Sequence, residues 1–166
     1  INGSNILILG AGGAARAAVV ECLSQNAASI RILNRSKDRL EYLCSSLSDM
    51  KGFESIFPIK GKEDLKNLPE TGICINATSL GLSEKDPMPF DVSYLSPQWS
   101  VYDMVYNPQE TKLSIEAEKL GCSVKTGLGM LVHQGARALE IWTQRKIGAQ
   151  IMLNACERAL NNQVNK

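Results

Sequence analysis

Four apolar residues, Ile6-Leu7-Ile8-Leu9, run directly into Gly10-Ala11-Gly12-Gly13-Ala14-Ala15, and this junction constrains the fold more than any other stretch of the chain. A short, fully apolar run that ends in glycines reads as a strand buried on both faces, as in a parallel sheet. The glycine string fits G-x-G-x-x-G/A with Ala15 in the third position, and small and branched residues at helical spacing follow it (Ala14, Ala17, Ala18, Val20, Leu23). In such a strand–turn–helix unit the first glycine permits the tight turn and the second lets the backbone approach a pyrophosphate. The helix start then offers that anion unbonded N–H groups and the positive end of its dipole. Gly10, Gly12, Gly13 and Ala14 are therefore candidate phosphate-cradling residues.

The alternation continues along the chain. The pattern predicts a first helix over 13–25, a strand at 29–33, a helix at 37–47, a strand at 57–59, a helical turn at 63–67 and a strand at 72–76. A proline-bearing loop over 80–98, with a short helix near Tyr94, leads to a strand at 100–105, a helix at 111–120 and a short strand at 123–125. Helices over 128–146 and 148–162 finish it. Strands alternating with helices at this spacing imply a parallel sheet with helices on both faces, hence a single-domain α/β, Rossmann-like fold. Leu131, Gly135, Ala138, Leu139 and Trp142 form the expected core stripe of the first closing helix. In the second, Ile151, Met152, Ala155, Cys156, Ala159 and Leu160 form an apolar stripe suited to the sheet or to another domain.

Eighteen Lys and Arg against 17 Asp and Glu leave a net charge of +1, which excludes a nucleic-acid binder that works by bulk electrostatics. No apolar run approaches the roughly 18 residues that cross a bilayer, so no membrane partner is expected. The five cysteines are scattered without a CxxC pair, so neither a disulfide framework nor a zinc or other metal site is read from them. Cys22, Cys74 and Cys156 sit in apolar stretches as small core residues. With no secretory signal, a reducing cytoplasm is expected.

The end of the second strand selects the cofactor. NAD-preferring folds place an acid about 20 residues after the glycines to hold the ribose hydroxyls. Here the stretch reads Leu33-Asn34-Arg35-Ser36-Lys37-Asp38-Arg39. Arg35 and Arg39, with the Ser36 hydroxyl, suit a dianionic 2′-phosphate, while Asp38 falls in the first turn of the next helix. NADP is the expected cofactor. Asn76, Thr78, Ser79 and Tyr106 follow the ends of parallel strands, where open α/β sheets bind ligands. Met130 and Gln134 are four apart and share a helix face. His133 points about 100° away from Gln134 and reads as a surface residue, and Asp103 reads as structural.

Five segments in order resemble the NADP-binding, C-terminal domain of the shikimate dehydrogenase family. These are the glycine loop Gly10–Ala17; Asn34-Arg35-Ser36 with Arg39, similar to a phosphate-binding NRT-x-x-R; Asn76-Ala77-Thr78-Ser79-Leu80-Gly81; Asp103-Met104-Val105-Tyr106-Asn107-Pro108; and Gly127-Leu128-Gly129-Met130-Leu131-Val132-His133-Gln134-Gly135-Ala136. Ser36 stands where the family usually has Thr and keeps the hydroxyl. The resemblance implies that Thr78, Ser79, Met104 and Gly127 contact the cofactor, that Met130 lies by the nicotinamide, and that Tyr106 and Gln134 reach the substrate. It implies an oxidoreductase of aromatic amino acid biosynthesis that reversibly reduces 3-dehydroshikimate to shikimate with NADPH. The family's catalytic Lys and Asp belong to an N-terminal substrate domain with no counterpart in residues 1–166. The expectation is thus an NADP-binding domain, inactive alone, whose oligomeric state is open. Two rivals remain: a quinate/shikimate dehydrogenase of the same superfamily, and a stand-alone non-catalytic NADP-binding module.

Overall fold

The computed structural model describes the backbone of residues 1–164 and the side chains of residues 1–160. Six strands, β1 (Asn5–Leu9), β2 (Ser29–Leu33), β3 (Ile56–Pro58), β4 (Ile73–Asn76), β5 (Ser100–Asp103) and β6 (Ser123–Thr126), form one sheet in the order β3-β2-β1-β4-β5-β6. All five neighbouring pairs are parallel. Strand order reverses between β1 and β4, so the carboxyl ends of these two strands flank the crevice where such sheets take ligands. The helices are α1 (Gly13–Ser24), α2 (Lys37–Ser45), α3 (Lys62–Lys66), α4 (Lys112–Leu120), α5 (Leu128–Thr143) and α6 (Ala149–Val164). Two 3₁₀ turns, Phe53–Ser55 and Val92–Tyr94, complete the set.

Alternation along β1 divides the core. Ile6 and Ile8 join Ala15, Val19, Leu40 and Leu43 beneath α1 and α2. Leu7 and Leu9 face the other way, against Trp99, Leu113 and Ala117 of the β4–α4 side. Helices therefore cover both faces, as right-handed crossovers in a sheet of this order require. Trp99 is the largest fully buried side chain, and its Nε1 donates to the Pro69 carbonyl at 3.0 Å.

Local chemistry accounts for several differences from the sequence pattern. The strand expected to reach residue 105 stops at Asp103, because the Asp103 side chain accepts from the Val105 N–H at 3.1 Å and turns the chain out of the ladder. The strand expected over 57–59 lies at Ile56–Pro58, with the Ile59 N–H still bonded to Ile32 at 2.8 Å. The helix expected to 146 ends at Thr143, where Gln144 takes a left-handed φ of 55°.

Trp142 is no core residue: it is 76% exposed. Of α5, only Val132 and Ala136 are buried, while Leu131, Gly135, Ala138 and Leu139 are half-buried. α5 packs on α6 rather than under a sheet face, and Met152 Cε lies against Gly135. The last turn of α5 thus has no layer above it to receive an indole. The α6 stripe correspondingly packs on α5 and not on the sheet, leaving Ile151 76% exposed and Cys156 half-buried. Cys122, rather than Cys156, joins Cys22 and Cys74 among the buried thiols. Burial pushes the Cys22 thiol up to about 11 and Cys74 higher still, so neither supplies a thiolate near neutral pH.

Candidate functional site

The glycine loop is built by close approach. Gly10 follows β1 with φ +112°, its N–H donates to Leu33 at 2.8 Å, and a Cβ there would lie 3.0 Å from the Ala77 carbonyl oxygen. Only glycine turns the chain here and lets it pass β4. Gly10→Ala is therefore expected to cost about 1–3 kcal/mol of stability. Chemical denaturation measures this, and an unchanged midpoint would contradict the strained turn.

Beyond the turn, Gly12 caps α1 without a side-chain hydrogen bond, and the first turn carries no acid. A Cβ at Gly12 or Gly13 would meet open space. The first N–H groups of α1 thus face a free volume into which an anion fits.

On the other side of β1, Asn34 Nδ2 donates to the Ser36 carbonyl at 2.8 Å and fixes the bend after β2. Ser36 caps α2 through a long, 3.4 Å bond from the Arg39 N–H, which leaves its hydroxyl hydrogen free to donate outward. Arg35 and Arg39 are exposed, and neither pairs with a carboxylate among the described residues. Asp38 lies in the first turn of α2, as expected. Two guanidiniums and a helix start therefore converge where an anion would be held by charge-assisted bonds.

After β4, the Asn76 side chain accepts from the Thr78 N–H at 3.1 Å and its hydroxyl at 2.7 Å, and shapes the segment that closes the crevice. These three loops enclose a cavity of about 310 Å³ at the β1/β4 reversal. Gly10, Gly12, Asn34, Arg35, Arg39, Thr78 and Ser79 all line it. Ala77 and Leu80, which lie inside the 76–81 motif, and Pro89, which lies outside every motif, line it too; none has a role readable from the sequence, because apolar side chains carry no chemical signal. Gly13, Ala14 and Ser36 stand just outside the wall, at the helix starts.

The remaining expected residues lie elsewhere along the same sheet edge. The Met104 side chain lines a separate apolar hollow with Ile73, Ile75 and Tyr102. Its carbonyl oxygen would clash with a Cβ at Gly127, so the end of β5 passes directly over the start of α5. Tyr106 and Met130 are each 38% exposed, and Gln134 and His133 are exposed on α5. Among the described residues no group of three or more His, Cys, Asp or Glu is placed to hold a metal ion. None of their helices is long and apolar enough to cross a membrane.

Comparison with known proteins points the same way. Residues 1–80 match the family model described as shikimate/quinate 5-dehydrogenase, and residues 127–157 match that of the shikimate 5′-dehydrogenase C-terminal domain. A shikimate dehydrogenase (NADP⁺) of Symbiobacterium thermophilum is 38% identical over 98% of this chain and 57% of its own. A solved shikimate dehydrogenase in complex with NADP⁺ is 33% identical with a TM-score of 0.81, over 96% of this chain and 56% of its own. A 5-ketofructose reductase of Gluconobacter is 32% identical with a TM-score of 0.78, over 95% and 57%. The chain spans little more than half the length of the curated relatives it matches.

Proposed function

The chain belongs to the shikimate/quinate 5-dehydrogenase family, and on that premise we propose that it is the NADP-binding domain of a shikimate dehydrogenase. One observation carries the reading. A single cavity at the strand-order reversal joins a glycine turn and the open start of α1 to two guanidiniums at the start of α2 that pair with no carboxylate among the described residues. Those two anion sites fit the pyrophosphate and the 2′-phosphate of one NADP molecule.

Bound there, the cofactor would supply or accept the hydride that interconverts a ring ketone, 3-dehydroshikimate, and its alcohol, shikimate. This chain's residues would then divide the work. Gly10 makes the turn that brings the pyrophosphate to the backbone, and Gly12, Gly13 and Ala14 give it N–H groups; Asn34 shapes the bend from which Arg35, Ser36 and Arg39 hold the 2′-phosphate. Thr78 and Ser79 close the crevice, and Met104, Gly127 and Met130 border the nicotinamide. Tyr106 and Gln134, both solvent-accessible, hydrogen-bond substrate hydroxyls. The proton transfer that hydride chemistry needs is assigned to a Lys and Asp of a separate substrate domain, consistent with the greater length of the relatives. The reading includes a cytoplasmic enzyme, supported by five free thiols.

The likeness to a 5-ketofructose reductase favours one second reading, in which the same cofactor domain serves another polyol–ketone pair. Mixing the chain with NADPH tests the first part: the expected result is saturable binding, tighter than for NADH, with no shikimate-dependent reduction of NADP by the chain alone. Absence of NADPH binding would overturn the proposal. An antibody blot of source cells is expected to show a species larger by about one domain of roughly 100 residues or more. Steady-state rates of that intact protein with shikimate, quinate and 5-ketofructose then identify the substrate.

A further inference from the structure

Asn76 and Asp103 end the adjacent parallel strands β4 and β5 and are partners in register. Both are fully buried. Asn76 Nδ2 donates to Asp103 Oδ1 at 2.9 Å and to the Leu80 carbonyl at 3.2 Å. Each side chain also bonds the backbone two residues ahead of it: Asn76 Oδ1 accepts from Thr78, and Asp103 Oδ1 accepts from Val105. Two loops thereby leave the sheet from one hydrogen-bonded pair. The first, 77–80, lines the nucleotide cavity; the second carries Tyr106. The other carboxylate oxygen, Oδ2, accepts from the Thr111 hydroxyl at 2.6 Å, and Thr111 in turn caps α4. Every bond to Asp103 comes from an uncharged donor, and no ion pair to it forms among the described residues. A buried carboxylate so placed is costly unless its geometry is fully satisfied, and here both oxygens are used.

Resting on the NADP reading above, we propose that Asp103 is a positioning residue that couples the two loops. Through Oδ1 it sets the loop under the cofactor and the loop that bears Tyr106 at one fixed spacing; through Oδ2 it only anchors α4. Without Oδ1, the Val105 N–H is left buried and unpaired, Asn76 Nδ2 keeps only its bond to the Leu80 carbonyl within its own loop, and the two loops drift independently.

The two oxygens can be separated by substitution. Thr111→Val removes the Oδ2 bond together with the side-chain cap of α4, and leaves Oδ1 untouched. It is expected to lower the melting temperature while leaving NADPH affinity within about twofold, because Oδ1 still holds both loops. Asp103→Ala removes both and is expected to weaken NADPH binding about tenfold or more, the effect of roughly one lost buried hydrogen bond. Asp103→Asn can present an oxygen to Asn76 and Val105 and an amide to Thr111, and is expected to bind within about threefold of the parent. Should Asp103→Ala fail to fold, Asn76→Ser reads the same coupling from β4, since its hydroxyl is too short to reach Asp103.

Amide NMR shifts of the ligand-free chain give a readout independent of the cofactor. Substitution at Asp103 is expected to move Thr78 and Leu80, and Asn76→Ser to move Val105 and Tyr106; Thr111→Val should move neither pair. Affinity losses that merely follow melting temperature across these variants, or amide shifts confined to the substituted strand's own loop, would overturn the coupling. A parent chain that binds no NADPH yet shows the cross-loop shifts would instead refute the cofactor reading and leave the coupling standing.

Discussion

Gly127→Ala is expected to destabilise the chain by about 3 kcal/mol or more, near the upper end of what overpacking costs. The backbone angles are not the reason, because φ −71° and ψ −2° at this position suit alanine as well as glycine. Space is. The added methyl would overlap the Met104 carbonyl oxygen and sit 2.6 Å from its carbon and 3.0 Å from its Cα. All three are main-chain atoms, so no rotamer change relieves the contact. The end of β5 and the start of α5 must separate, which breaks the 3.2 Å bond from the Gly127 N–H to Val105. For a domain of this size the drop in melting temperature should be about 6–12 °C. Gly129→Ala, two residues further along the same helix, is the matched control: its Cβ meets nothing within 4 Å, so it should be neutral or stabilising by up to about 1 kcal/mol. Equal melting temperatures for the two variants would show that the crossing of β5 and α5 is not tight.

That crossing illustrates what the sequence could and could not convey. The β1–glycine loop–α1 unit was legible because its causes are local: an apolar run, a turn only glycine makes at φ +112°, and a helix that starts without a cap. Asn34-Arg35-Ser36 was legible for the same reason, as a bend followed by a capped helix. The residues that share the cavity come from three loops dozens of positions apart, yet the strand–helix alternation already required their strands to end at one edge.

Trp142 shows the limit. A helical stripe states which side chains lie on one face, but not whether any layer of the molecule covers that face. α5 packs on α6 rather than under a sheet face, so the indole stands in solvent. The link between Asn76 and Asp103, 27 residues apart, was equally out of reach. Each residue alone reads as an ordinary polar strand end; only the register of β4 on β5 makes them partners.

Removing Arg35 should change which nucleotide the chain prefers. Arg35 and Arg39 both line the cavity and lie one helical turn apart around the start of α2, and neither has a competing carboxylate among the described residues. A 2′-phosphate between them would accept from both guanidiniums, from the Ser36 hydroxyl and from the first N–H groups of the helix. NADH has a 2′-hydroxyl in that place and would draw little from either arginine. Arg35→Ala is therefore expected to weaken NADPH binding about tenfold, with NADH affinity changed less than about twofold. The Arg35→Ala/Arg39→Ala pair should lose about a hundredfold for NADPH and approach the NADH value, since the backbone N–H groups at α1 serve both cofactors equally. Lysine at position 35 should restore only part of the loss, because an ammonium gives the charge without the planar fork. Raising the salt concentration should narrow the gap between NADPH and NADH, as these side chains are exposed and their charges screened. Calorimetric titration with both nucleotides at two ionic strengths measures all of this. Parallel losses for NADPH and NADH would mean that the arginines support the loop and do not read the phosphate, and that the chain's cofactor preference is set elsewhere in the cavity.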